Sequence, residues 1–248
     1  MSDAIRVAVI GVGYLGRFHA RIYNDMPGVE LVGVIDTDRE TADRVAAEYD
    51  TRALYDPMDL LDEVDVVSVV VPTSLHRQVA VPYLEKGIHM LLEKPVASTL
   101  EDAKVIVETA RKHNATLQIG HLERFNAGIM ALADHVNQPR FIEAHRLGPF
   151  VERATDVDVV TDLMIHDIDI ILSLVGDKLS SIAATGTPVL TNHVDIANAR
   201  LEFTNGAVAN VTASRVSSKK FRRIRVFSRN SYRAINFVDQ QLEVAYPG

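Results

Sequence analysis

Residues 7–23 read VAVIGVGYLGRFHARIY, an apolar run that meets three glycines and leaves in a helix-like pattern. The unbroken apolar run from Val7 to Ile10 suits a strand covered on both faces. Gly11, Gly13 and Gly16 follow in G-x-G-x-x-G spacing. In that spacing the first glycine makes a tight turn, the second lets an anion approach bare backbone at a helix N-terminus, and the third lets helix and strand pack closely. Glycines at a turn can also serve packing alone, so the hexapeptide by itself leaves two readings open. Its context separates them. The next apolar run, VELVGVI, leads to Asp36, twenty residues beyond Gly16, where a carboxylate can accept hydrogen bonds from a ribose. Strand, glycine turn, helix and acidic residue together predict a dinucleotide site. The negative charge of Asp36 opposes a 2′-phosphate and predicts NAD over NADP, with Arg39 the nearby cation that argues the other way.

The pattern repeats outward from this unit. Short Val/Ile-rich runs (VDVVSVVVP, IHMLLE, ATLQIG) alternate with helix-like segments at Arg39–Tyr49, Leu75–Lys86 and Leu100–His113. Alternation of this kind predicts βαβ units and a doubly wound parallel sheet, a Rossmann domain over residues 1–120. Near residue 120 the rhythm changes. A helical stretch, one long apolar helix around Val159–Val175 and then several alternating runs predict an α+β domain over residues 121–248 with an open, largely antiparallel sheet. Thr204-Asn205-Gly206-Ala207 separates two such runs, and Asn-Gly predicts a two-residue type I′ hairpin. No Pro/Gly/Ser-rich linker divides the halves, so close packing around a cleft is expected.

Composition narrows the function classes. With 26 Lys and Arg against 33 Asp and Glu, the net charge of −7 argues against a chain built for nucleic acid or an anionic membrane. Cysteine is absent, which excludes disulfides and thiolate-held metals. No apolar run has the length of a membrane span, and the N-terminus does not read as a signal peptide, so a cytoplasmic protein is expected.

Two further clusters carry chemistry. In LLEKPVAS, Lys94 stands at the carboxyl end of an expected strand, where open α/β sheets bind ligands, and Pro95 fixes the turn that aims it. A lysine there can hydrogen-bond a hydroxyl and join proton transfer; a plain surface turn is the competing reading. In VVTDLMIHDIDIIL, Asp162 and His166 are four residues apart on one apolar helix and share a face. Imidazole suits proton movement near neutral pH, whereas an Asp–His pair can also simply orient a helix. No third ligand accompanies them, so no metal is expected.

Five segments in order, GVGYLGRFHA, VPTSLH, LLEKP, IGHLERFNA and DLMIHDID, resemble the Gfo/Idh/MocA oxidoreductases, the glucose–fructose oxidoreductase and inositol dehydrogenase group. The resemblance spans nearly the whole chain. It implies hydride transfer between NAD(H) or NADP(H) and a secondary hydroxyl of a sugar or cyclitol. It also implies Lys94, Asp162 and His166 as catalytic residues. Tyr14, Leu15, Pro72, Thr73, His76 and Glu93 join Gly11, Gly13, Gly16, Asp36 and Lys94 at the cofactor. Arg124 and Asn126, with Lys94, Asp162 and His166, line the substrate cleft, although Ala127 replaces a proline frequent in the family. The second sheet is implied as the interface of a homo-oligomer, a dimer or tetramer. Family members are usually longer, and the end at EVAYPG just after an expected strand predicts further strands or a terminal helix beyond it.

The segment SSKKFRRIRVFSRNSYR gathers Arg215, Lys219, Lys220, Arg222, Arg223, Arg225, Arg229 and Arg233. Such a stretch reads as a solvated strand face or a blunted sheet edge, or else as an anion site for a phosphorylated or nucleotide-linked sugar. The tail is similar to family members that oxidise the 3-hydroxyl of UDP-N-acetylglucosamine. The alternative from another class is a non-catalytic, NAD-sensing regulator of the same fold, which would not require Lys94, Asp162 and His166 together.

Overall fold

The computed structural model describes residues 4–151 and 157–246. They form two compact units that meet in sequence between Gly120 and His121.

The first unit holds six parallel strands: β1 (Ile5–Ile10), β2 (Val29–Ile35), β3 (Ala53–Leu54), β4 (Val66–Val69), β5 (His89–Leu92) and β6 (Leu117–Ile119). Their order is β3-β2-β1-β4-β5-β6. Val7, Ala8, Val9 and Ile10 are each at most 2% exposed, because helices cover both faces of a central parallel strand. Those helices are α1 (Gly16–Asp25), α2 (Arg39–Glu48), α3 (His76–Glu85) and α4 (Leu100–Lys112). Asp38 caps α2 by accepting the N–H of Glu40, and Thr99 caps α4 by accepting that of Asp102. The strand order reverses between β1 and β4, so the chain leaves their carboxyl ends in opposite directions and opens a crevice there. Gly11 and Val70–Pro72 lie at its two lips. The two-residue β3 carries too short a pattern for the sequence to announce it.

The second unit has α5 (Ala127–Ala133), α6 (Ile165–Val175) and seven strands: β7 (Phe141–Leu147), β8 (Leu179–Thr187), β9 (Ile196–Phe203), β10 (Val208–Ser214), β11 (Phe221–Ser228), β12 (Ser231–Asn236) and β13 (Gln241–Ala245). The order is β13-β12-β11-β7-β10-β9-β8, with only β7 and β10 parallel. Ile142, Ala144, Ala199, Leu201, Val211 and Ile224 project to one side and form a core with Ile170 and Ile171 of α6.

Three expectations change here. β7 precedes the long helix rather than following it, and becomes the centre of the sheet. Its strict alternation in FIEAHRL was the available signal. The long helix opens with one π-helical turn, Val160–Met164. The hairpin between β9 and β10 has a three-residue loop, not a two-residue type I′ turn. Gly206 N–H donates to Phe203 O, Phe203 N–H donates to Ala207 O, and only Gly206 takes a positive φ, +83°. That is a type I turn closed by a glycine bulge, the arrangement that leaves Asn205 in its easier negative-φ conformation.

Candidate functional site

Each motif glycine meets a different constraint. Gly11 has φ +86°, and a Cβ there would lie 2.6 Å from Val70 O. A Cβ on Gly16 would lie 1.8 Å from Gly11 O, so α1 packs on the turn only through glycine. A Cβ on Gly13 would meet nothing within 4 Å; it would project into open space above the backbone at the start of α1. This is the cradle a pyrophosphate needs, bare backbone facing outward at a helix N-terminus. Asp36 Oδ2 accepts the N–H of Val12 at 2.9 Å and Oδ1 that of Asp38 at 3.0 Å. Each oxygen keeps a lone pair for a vicinal diol. Arg39 stacks on the Tyr55 ring, 4.3 Å from its centroid.

A groove continues from this cradle, lined by Gly13, Tyr14, Leu15, Gly16, Pro72, Glu93 and Lys94. Tyr14 and Leu15 are 80% and 52% exposed, large side chains standing in solvent beside the groove. Lys94 follows β5 directly, and its bond to Pro95 is cis. Thr73 opens a 3-10 turn, Thr73–Leu75, that leads into α3. His76, expected at the cofactor, is held inside the fold next to the groove's lip. Its ring is 1% exposed, with Nδ1 3.1 Å from Val96 O and Nε2 3.0 Å from Val71 O. It ties the Val71–Pro72 lip to the segment after Lys94 instead of presenting an edge to the groove.

In the second unit Asp162 lies in the π turn and His166 one turn on in α6, both partly buried. Behind them Arg146 is buried and grips Asp167 through two nitrogens, at 3.0 and 2.8 Å, and Glu123 at 3.0 Å. Burial lowers the pKa of this guanidinium, but the two carboxylates outweigh it and hold the pKa above the ordinary value. Arg222 faces Arg146 across the β11–β7 pair, and burial and that like charge push its pKa down. The buried trio of Glu123, Arg146 and Asp167 escaped the sequence reading, because residues so far apart in the chain show no common spacing.

Two expected substrate residues are engaged within the fold. Arg124 forms a bidentate pair with Asp169, at 2.6 and 2.7 Å, and so anchors the start of the unit on α6. Asn126 caps α5, its Oδ1 accepting the N–H of Gly128 at 3.0 Å. Ala127 is the first residue of that helix, a position where proline is also well suited.

Several arginines of the basic segment are engaged within the unit. Arg215 is buried against Asp195, Arg225 pairs with Glu143, and Arg223 with Glu243 and Tyr232. Arg233 is 8% exposed and donates to Ser231 Oγ. β11 runs between β12 and β7 and so is not a sheet edge, whereas Arg223 and Arg225 on one of its faces are partly exposed and Lys219, Lys220 and Arg229 are exposed.

Comparison with known proteins agrees with this arrangement. Residues 5–121 match the profile described as "Oxidoreductase family, NAD-binding Rossmann fold", and residues 107–231 match "GFO/IDH/MocA C-terminal domain". The chain is 41% identical over 245 residues to UDP-N-acetylglucosamine 3-dehydrogenase of Acidithiobacillus ferrooxidans, covering 98% of this chain and 78% of that protein. A solved structure of that enzyme superposes with a TM-score of 0.92 at 40% identity, over 98% of this chain and 80% of the other. The scyllo-inositol 2-dehydrogenase (NAD(+)) of Bacillus subtilis is 29% identical over 242 residues, 88% of this chain and 69% of its own length.

Proposed function

The chain belongs to the Gfo/Idh/MocA family of NAD-dependent oxidoreductases, and from that premise we propose that it oxidises the 3-hydroxyl of a UDP-linked N-acetylated amino sugar. The observation that carries the substrate is the 41% identity to UDP-N-acetylglucosamine 3-dehydrogenase across 98% of the chain. The cradle at Gly13 and the paired lone pairs of Asp36 fit the pyrophosphate and ribose of NAD. When bound, NAD supplies the hydride acceptor at C4 of its nicotinamide.

In this reading His166 takes the hydroxyl proton as the carbon gives up its hydride. Lys94 donates a hydrogen bond to the same oxygen and stabilises its developing negative charge. Asp162, one turn before His166, balances the positive charge that His166 gains. The overall change is alcohol and NAD to ketone, NADH and one proton. The mechanism requires Lys94 and His166 to act on the same substrate hydroxyl. The compared relatives are named dehydrogenases, which favours catalysis over the regulatory reading.

The sheet face away from α6 carries Phe141, Phe227 and Tyr232 in successive ring contacts, and His145 against Phe221. That aromatic face supports assembly as a homo-oligomer through the sheet. Light scattering should give a mass above one chain, reduced by charge reversal on this face. For the reaction, NADH formation is followed at 340 nm with UDP-N-acetylglucosamine, free N-acetylglucosamine and inositols. Turnover of the UDP-sugar is expected, and turnover confined to unphosphorylated polyols would overturn the assignment.

A further inference from the structure

A chain of polar groups runs behind the Glu93–Lys94 turn, and neither the glycine cradle nor the proton-transfer roles account for it. Ser68 lies on β4, between β1 and β5, and is fully buried. A hydroxyl so placed must find partners inside the fold. It finds two on α1: the Tyr23 hydroxyl, and His19 Nδ1 at 2.7 Å. The other ring nitrogen, His19 Nε2, is 3.4 Å from Glu93 Oε1, and each of these side chains is only 12% exposed. Glu93 Oε2 accepts the backbone N–H of Lys94 at 3.2 Å. Gly120 closes the remaining side, since a Cβ there would stand 2.8 Å from the same carboxylate. Burial pushes the Glu93 carboxyl up, but His19, the Lys94 amide and the Lys94 charge outweigh it and keep it below the usual range.

The carboxylate is therefore held on three sides, and one of its oxygens grips the amide of the residue that carries the ammonium. Rotating the carboxylate would move that amide, and with it the turn at the edge of the groove. We propose that His19 is a positioning residue for Lys94: it anchors the Glu93 carboxylate to buried Ser68 and so fixes the Glu93–Lys94 turn beside the glycine cradle. The inference rests on the role given to Lys94 above. A histidine that merely fills space beneath α1 would act on stability alone.

His19→Gln keeps an amide N–H within reach of Glu93, whereas His19→Asn keeps only the shorter reach toward Ser68. With UDP-N-acetylglucosamine, His19→Asn should lower kcat by about tenfold or more while KM for NAD stays within about threefold, and His19→Gln should recover most of the loss. In a Glu93→Gln background the His19→Asn substitution should cost less than about twofold, because its route is already cut. A second measurement needs neither substrate nor cofactor. Imidazole 1H–15N correlations of the apo protein at one fixed pH should show the His19 Nε2 resonance displaced in Glu93→Gln, since that nitrogen loses its carboxylate neighbour. Equal losses for the Asn and Gln variants, additive effects with Glu93→Gln, or an undisplaced His19 Nε2 resonance would each overturn the proposal. If the wild-type enzyme ignores the UDP-sugar, the substrate reading fails, and the Nε2 resonance still decides the coupling of His19 to Glu93.

Discussion

The carboxylate of Asp36 keeps a lone pair on each oxygen after accepting the amides of Val12 and Asp38, and a 2′-phosphate in the same place would face a like charge. Arg39 is a few residues away but stacked on Tyr55, a cation–π contact it must leave to reach a phosphate. Asp36→Ser removes the repulsion and frees Arg39 to turn. The ratio of kcat/KM for NADP to that for NAD should then rise by about tenfold or more, measured by initial rates with each cofactor. Lys94→Ala tests the other end of the groove. A lysine that stabilises developing charge acts in the transition state, so kcat should fall by about 10²–10⁴ while NAD affinity, read by calorimetry, changes little. These residue types were legible in the sequence, because G-x-G-x-x-G, a carboxylate after the second strand and a lysine after a later one are local patterns. The partners of His76, Arg124 and Asn126 were not. Each is recruited by a carbonyl, a carboxylate or a helix end that folding brings to it, and no spacing rule announces that.

At the scale of elements, the turn before α1 separates packing from binding. Gly16→Ala drives a methyl group into Gly11 O, which α1 can escape only by lifting off β1, so circular dichroism should show a large fall in melting temperature. Gly13→Ala meets open space, so the protein should melt almost as before while the dissociation constant for NADH rises in fluorescence titration. If both variants behaved alike, the glycines would not have separate tasks. In the second unit, α6 is fastened to β7 through Asp167 and Arg146, both nearly inaccessible. Asp167→Asn leaves a buried guanidinium short of its counter-charge and should cost about 3–5 kcal/mol in urea unfolding. The helix itself was readable from its apolar run. Its π-helical opening was not, since backbone hydrogen bonds that skip one residue further leave no mark on the spacing of apolar side chains.

Across the whole molecule, one carboxylate links distant parts of the second unit. Asp195 Oδ2 accepts the N–H groups of Val189, Leu190 and Thr191, and Oδ1 accepts from Arg215, whose guanidinium also donates to Val157 O. Burial would raise the pKa of this carboxyl, but the three amides and the guanidinium hold it far below its ordinary 3.8. Because the folded value lies below the unfolded one, the stabilisation is fully present above the ordinary carboxylate range and is lost as pH falls through and below it. Asp195→Asn should therefore lower the melting temperature at about pH 7, and the gap from wild type should narrow by about pH 3; an unchanging gap would remove the carboxylate's charge from the account.

The sequence by itself determined the alternation of strand and helix in the first unit, the change to an antiparallel sheet in the second, and the glycine and acidic positions of the dinucleotide site. These follow from periodicity and from backbone space, which neighbours along the chain decide. Tertiary structure decided what became of the charges. A long side chain reaches several ångströms in any direction, and its partner is whichever opposite charge or carbonyl the packed core carries within that reach. Hence Arg215, Arg225 and Arg223 of the basic segment close onto Asp195, Glu143 and Glu243, and His19 closes onto Glu93, pairings separated by between 20 and 82 residues of chain.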